Sequence, residues 1–119
     1  MESKHSLLKS FKFAFSGLKT AITKGRNFRI QVLLGAAAIV LGVVYKISTF
    51  EWLSLILIVA SVLILELINS AIEEIVNIVS TEIQERARIA KDVSAAAVLI
   101  ASIAAVFIGV LLFLPGIIQ

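Results

Sequence analysis

Four polar residues stand at helical spacing inside a run that is otherwise almost wholly apolar: Glu66, Asn69, Glu73 and Asn77. Steps of three, four and four residues put them on one stripe of an α-helix. The run opens at Trp52 and carries no charge until Glu66, which a rise of 1.5 Å per residue sets about 21 Å beyond Trp52. Glu73 follows about 10 Å further along the same stripe. A carboxylate as deep in hydrocarbon as Glu66 is costly unless it is paired or does chemistry. Taking a proton from a reacting group is one such chemistry. Two carboxylates one above the other also call for a counter-charge, and a cation is the simplest source. The alternative is structural: polar side chains bond helices to one another without any reaction, a reading that suits Asn69 and Asn77 as well as a site does. Glu74 faces another way and reads as a solvated residue.

A second cluster opens the next apolar run. Lys91 and Asp92 precede the small residues Ala95, Ala96 and Ala97, which let helices approach closely. A lysine at the mouth of a membrane helix is a natural phosphate partner. It is equally a snorkelling anchor, with Asp92 a helix-start residue. The chain contains neither G-x-x-x-x-G-K-[ST] nor a kinase-type glycine loop, so a bound nucleotide would be held by neither familiar phosphate cradle.

The elements that must position these residues follow from composition. Of 119 residues, 60% are hydrophobic and 16% charged, with a mean hydropathy of +1.05. Soluble domains are about 45–50% apolar and about 25% charged, and a small domain has too little interior for so many apolar side chains. A soluble globular enzyme, a disordered tail and a nucleic-acid-binding module are therefore poor readings, and no nucleic-acid partner is expected. The absence of Cys removes disulfides and thiolate metal sites, and a single histidine, His5, cannot make a triad or a multi-His zinc site.

Three runs are long enough to span a bilayer, with membrane helices expected over residues 28–45, 52–79 and 93–114. Ahead of them, Leu7, Leu8, Phe11, Phe15, Leu18 and Ile22 recur on one face, with Lys9, Lys12, Ser16, Lys19 and Thr20 on the other. That pattern predicts an amphipathic helix over 5–24 lying in the membrane interface rather than a cleaved signal peptide. The expected fold class is an all-α membrane protein, an interfacial helix plus three transmembrane helices, in one domain over 1–119. Lys and Arg crowd the N-terminal segment, and Arg86, Arg88 and Lys91 lie between spans two and three. The positive-inside rule puts both in the cytoplasm.

The string ELINSAIE from Glu66 to Glu73, followed by Ala90-Lys91-Asp92 and then SAAAVLIASI, resembles the prokaryotic diacylglycerol kinase family. The RNFRIQ string from Arg26 to Gln31 and the terminal FLP look most like its Gram-positive branch, the undecaprenol kinases. The likeness covers almost the whole chain. It implies a homotrimer in the bacterial cytoplasmic membrane that moves a phosphoryl group from ATP, with Mg²⁺, onto a lipid alcohol, undecaprenol or diacylglycerol. By motif position, Glu66 would be the general base and Glu73 would hold Mg²⁺. Asn69, Glu73, Glu82, Ile83, Gln84, Lys91 and Asp92 would meet the nucleotide, and Glu66, Ser70 and Ala95 the lipid. Two positions depart from the family pattern: Gly25, where a second metal-binding Glu is usual, and Asn77, where Asp is usual. Both remove negative charge near the expected metal. They leave open a weakened or inactive lipid-binding relative, and Glu66 alone leaves open a small ion-coupled transporter. On this reading Gly25→Glu lowers the Mg²⁺ requirement.

Overall fold

The computed structural model describes residues 6–79 and 84–119. Among the described residues there are four helices and no strand: α1 (Ser6–Lys24), α2 (Arg26–Val44), α3 (Thr49–Val79) and α4 (Glu85–Ile118). The last three are long and apolar enough to cross a membrane. The chain is an all-helical membrane protein.

Helix α1 buries none of its residues. Leu7, Leu8, Phe11, Phe15, Leu18 and Ile22 are all exposed, as an interfacial helix with an apolar face toward lipid requires. It turns into α2 at Gly25, whose extended backbone (φ −99°, ψ 102°) caps the second helix. The Gly25 N–H donates back to the Ala21 carbonyl at 2.8 Å, and the Arg29 N–H to the Gly25 carbonyl at 3.1 Å. The Arg29 guanidinium donates through Nη1 to the carbonyls of Ile22 at 2.7 Å and Thr23 at 3.1 Å. Those carbonyls belong to the last turn of α1, where helical partners run out and a cation is favoured. Arg29, which in sequence merely interrupts an apolar run, is thus the tie between the interfacial helix and the first span.

Helix α2 meets α3 along Phe28, Gly35 and Gly42, its buried residues. A Cβ at Gly35 would lie 2.9 Å from Val59 Cγ1, and one at Gly42 2.8 Å from Trp52 Cη2. The missing side chains let the helices come this close. At the far end, the Ile47 N–H reaches the Gly42 carbonyl and the Lys46 N–H the Val43 carbonyl, each at 3.2 Å. This is a Schellman end with Lys46 (φ 53°) in the left-handed place that glycine usually takes. Helix α3 starts at once with a capping box: the Ser48 N–H donates to Glu51 Oε1 at 2.8 Å, and the Glu51 N–H to Ser48 Oγ at 3.2 Å. That cap sets the start of α3 three residues before Trp52.

Helix α4 packs along α3, with Ser94 against Asn69. Its buried residues are Ser94, Val98, Ala101 and Phe113, the last beside the Tyr45 ring, and those of α3 are Leu55, Val62, Glu66 and Asn69. It begins at Glu85, eight residues ahead of the apolar run at Val93, because Arg88 pairs with Glu85 and with Asp92 across its first turns. It also passes through Pro115, which lies in its last turns and takes one N–H from the ladder. Its 34 residues span about 51 Å, well beyond the roughly 30 Å of hydrocarbon. The large side chains Leu33, Leu57, Leu99 and Phe107 stay outside the bundle, where lipid is their solvent.

Candidate functional site

Helix α3 carries the polar stripe, and its partners come from both neighbours. Glu66 is 6% exposed and Asn69 8%, the deepest polar groups of this helix. From α2, Gln31 donates through Nε2 to Glu66 Oε1 at 3.4 Å. From α4, the Ser94 hydroxyl lies against Asn69 Oδ1 and also within 3.1 Å of the Lys91 carbonyl. Further toward the end of α3, Lys91 donates from Nζ to Asn77 Oδ1 at 2.8 Å. Asn69 and Asn77 thus join α3 to α4 within one chain, and Asn77 holds the lysine with a neutral acceptor, no carboxylate among the described residues pairing with it.

Glu73 lies between these two rungs. Its carboxylate is half-buried and has no hydrogen-bond or ion-pair partner among the described residues. Ser70 is half-buried beside it in sequence. Asp92 and Ala95 are exposed, on the side of α4 turned away from the Ser94 seam. Asp92 accepts from Arg88 Nη1 at 2.8 Å, so its carboxylate is occupied by a cation of its own helix. Gln84 is exposed at the N-cap of α4 and makes no side-chain cap bond. Glu82 and Ile83 lie outside the described residues.

Of the residues expected from sequence, Glu66, Asn69, Glu73 and Lys91 are therefore brought to one side of the α3–α4 pair, and Asp92 and Ala95 are not. Gln31 and Ser94 belong to the cluster and sequence reasoning missed both. The signal for Ser94 is its place three residues after Lys91 and four before Val98, on one helical face. Gln31 is the sole polar side chain of α2 between Arg29 and Tyr45.

An apolar cleft of about 300 Å³ opens between α2, α3 and α4, lined among others by Gln31, Gly35, Val59, Val62, Ser102 and Gly109. It runs from the level of Glu66 into the hydrocarbon zone, since Val62 and Val59 are the next turns of α3 away from Glu66. Among the described residues, no three Asp, Glu, His or Cys residues gather into a metal-holding group. A single free carboxylate fits a divalent ion that arrives with phosphate oxygens and water, since Mg²⁺ binds one or two carboxylates plus substrate phosphates. It does not fit an ion caged by protein alone. At Gly25, the expected place of a second carboxylate, a Cβ would lie 2.7 Å from the Ala21 carbonyl oxygen and 3.3 Å from Phe28 Cβ. The corner is closed around a hydrogen atom.

The family model for prokaryotic diacylglycerol kinase matches residues 12–113 of the chain. The chain belongs to the prokaryotic diacylglycerol kinase family. It is 41% identical over 111 residues to a diacylglycerol kinase of Synechocystis, covering 92% of this chain and 63% of that relative. It thus spans a little under two thirds of that protein's length. Against the undecaprenol kinase of Bacillus subtilis the identity is 33% over 107 residues, with 90% and 87% of the two chains covered. Against the diacylglycerol kinase of Escherichia coli it is 34% over 100 residues, with 84% and 82% covered. The relatives of this chain are lipid kinases by name, and the substrate named differs among them.

Proposed function

We propose that the chain phosphorylates a membrane lipid alcohol, undecaprenol or diacylglycerol, with ATP as phosphoryl donor, at the cytoplasmic face of a bacterial inner membrane. One observation carries the reading. A buried carboxylate, Glu66, and a half-buried one, Glu73, which has no partner among the described residues, stand on one stripe of α3, about 10 Å apart along the helix axis, with the Lys91 ammonium beyond them. A lipid hydroxyl and a water-soluble nucleotide meet only at the interface, and this order of groups suits each side of it.

In the reaction so read, the lipid hydroxyl donates its proton to Glu66 as its oxygen forms a bond to the γ-phosphorus. The bond from that phosphorus to the β,γ-bridging oxygen breaks, and ADP leaves with the electron pair. Loose transition states of this kind need positioning and charge stabilisation more than covalent help. Lys91 supplies a positive charge to the phosphates, and Asn77 keeps its ammonium on the α3 side of α4. Asn69 and Ser94 hold α3 and α4 in register beside Glu73. Glu73 is the residue that would hold Mg²⁺, which when bound offsets charge on the phosphate oxygens. Gln84, Glu82, Ile83 and Asp92 are the nucleotide-side residues of this reading, and Ser70 and Ala95 the lipid-side ones. On this reading the chain works as a homotrimer, and the positive-inside bias of its basic residues favours placing the N-terminus and the α3–α4 connection in the cytoplasm.

A second reading rests on Gly25: with no room there for a side chain, the protein would bind lipid without turnover. Incubating the purified protein with γ-labelled ATP and either lipid, in parallel, separates the two. Label in one lipid, lost about 10²–10⁴-fold in Glu66→Gln as for removal of a general base, supports the kinase. Label in neither lipid refutes it.

A further inference from the structure

Gln31 sits where α2 passes Glu66, between the interface and the apolar cleft. A carboxamide there is costly unless both of its ends are used. One end is used: Nε2 donates to Glu66 Oε1 at 3.4 Å. The other, Oε1, is buried and has no partner among the described residues. The amide cannot turn over to hide that oxygen, because Oε1 would then face the Glu66 carboxylate, acceptor against acceptor. Its orientation is therefore set by Glu66, and its carbonyl is left for a donor that the described residues do not supply.

We propose that Gln31 is the positioning residue for Glu66, which rests on Glu66 acting as the base. The donated hydrogen bond occupies Oε1 of the carboxylate and leaves Oε2 as the oxygen offered to the acceptor alcohol. The contact is long without substrate, as such bonds often are before the reacting complex forms. The carbonyl of Gln31 is buried, so the part this side chain plays is the hold its Nε2 keeps on the carboxylate. No other side chain of α2 can do this, since its remaining residues from Ile30 to Val44 are apolar or glycine.

The test is a double-mutant cycle with Glu66→Gln, read as kcat and as separate KM values for ATP and lipid. Gln31→Leu keeps the bulk and removes both polar ends. It is expected to lower kcat about 10–100-fold, since a misplacement of about 1 Å costs about 10²-fold, with the KM for ATP unchanged. In the Glu66→Gln background the same substitution is expected to change nothing more, because groups that act as a unit are not additive. Gln31→Glu, which keeps the length and replaces the donor by an acceptor, should also be slow. Wild-type kcat in either single variant, or full additivity with Glu66→Gln, overturns the proposal. Wild-type turnover in Glu66→Gln itself overturns the base assignment instead, whatever Gln31 does.

Discussion

Gly25→Ala adds one methyl group at the corner between α1 and α2, and the structure sets its cost. The new Cβ would stand 2.7 Å from the Ala21 carbonyl oxygen and 3.3 Å from Phe28 Cβ, where ordinary contact starts at 3.4 Å. About 0.7 Å must be found against the oxygen. No rotamer can yield it, since one obstacle is backbone and the other is the first carbon of a buried side chain. That oxygen also accepts the Gly25 N–H at 2.8 Å, so backing away by 0.7 Å stretches the bond to about 3.5 Å, beyond useful range. Losing one backbone hydrogen bond costs about 1 kcal/mol, and the residual crowding adds about as much. A total of about 2 kcal/mol loosens the corner roughly 30-fold. Hydrogen exchange in nanodiscs measures it: protection across residues 21–29 should fall by that factor, while the α3–α4 seam keeps its own. Unchanged protection across 21–29 would sink the reasoning. Gly25→Glu meets the same wall, so the gain in Mg²⁺ affinity expected from sequence alone is not expected from the structure. A lower half-saturating Mg²⁺ in that variant would mean that the corner yields after all.

Lys46→Gly should stabilise the chain by about 1 kcal/mol, because a side chain in the left-handed region costs about that much or more; an unfolding midpoint in mixed micelles that stays put or falls speaks against it. Ser94→Ala strips Asn69 Oδ1 of its donor inside the bundle and should cost about 1–3 kcal/mol, read as a lower midpoint in the same assay. Lys91→Ala should raise the KM for ATP and leave that for lipid, and Asn77→Ala, which releases the lysine, should do the same more weakly; equal ATP affinities would make Lys91 an interface anchor. Since the chain has no Cys, Thr49→Cys should react with an impermeant reagent from outside and Arg86→Cys should not, and the reverse pattern would put the proposed nucleotide side outside the cell.

The helices could be read from the sequence because a bilayer leaves an α-helix as the way for a lone apolar run to satisfy its backbone. Their ends depend on local polar chemistry that hydropathy does not weigh. Ser48-Thr49-Phe50-Glu51 has the S-x-x-E form of a capping box, but hydropathy alone starts the span at Trp52, three residues late, and nothing in a lysine marks the left-handed turn at Lys46. The stripe of Glu66, Asn69 and Glu73 was legible because one helix contains it whole. What each residue meets was not, because that depends on how two helices are set beside each other. Gln31 and Glu66 are 35 residues apart, and Asn69 and Ser94 25 apart. Asp92 shows the same gap: the AKD string does not say which neighbour the residue meets, and in the structure its carboxylate pairs with Arg88, one turn earlier on its own helix.

Phe28, Gly35 and Gly42 follow one another at intervals of seven along α2. An edge that repeats every two turns makes the length of this helix a fixed quantity. One residue inserted after Gly35 would rotate everything beyond it by about 100°, carrying Gly42 away from Trp52 and turning its larger neighbour Leu41 into the indole. Removing a whole interval would restore the edge, but it would shorten the helix by about 10 Å, a third of the hydrocarbon thickness. Substitutions on the lipid-facing sides of α2 can drift freely, yet insertions and deletions in natural variants should fall elsewhere: before Ser6, in the α3–α4 connection, or past Pro115.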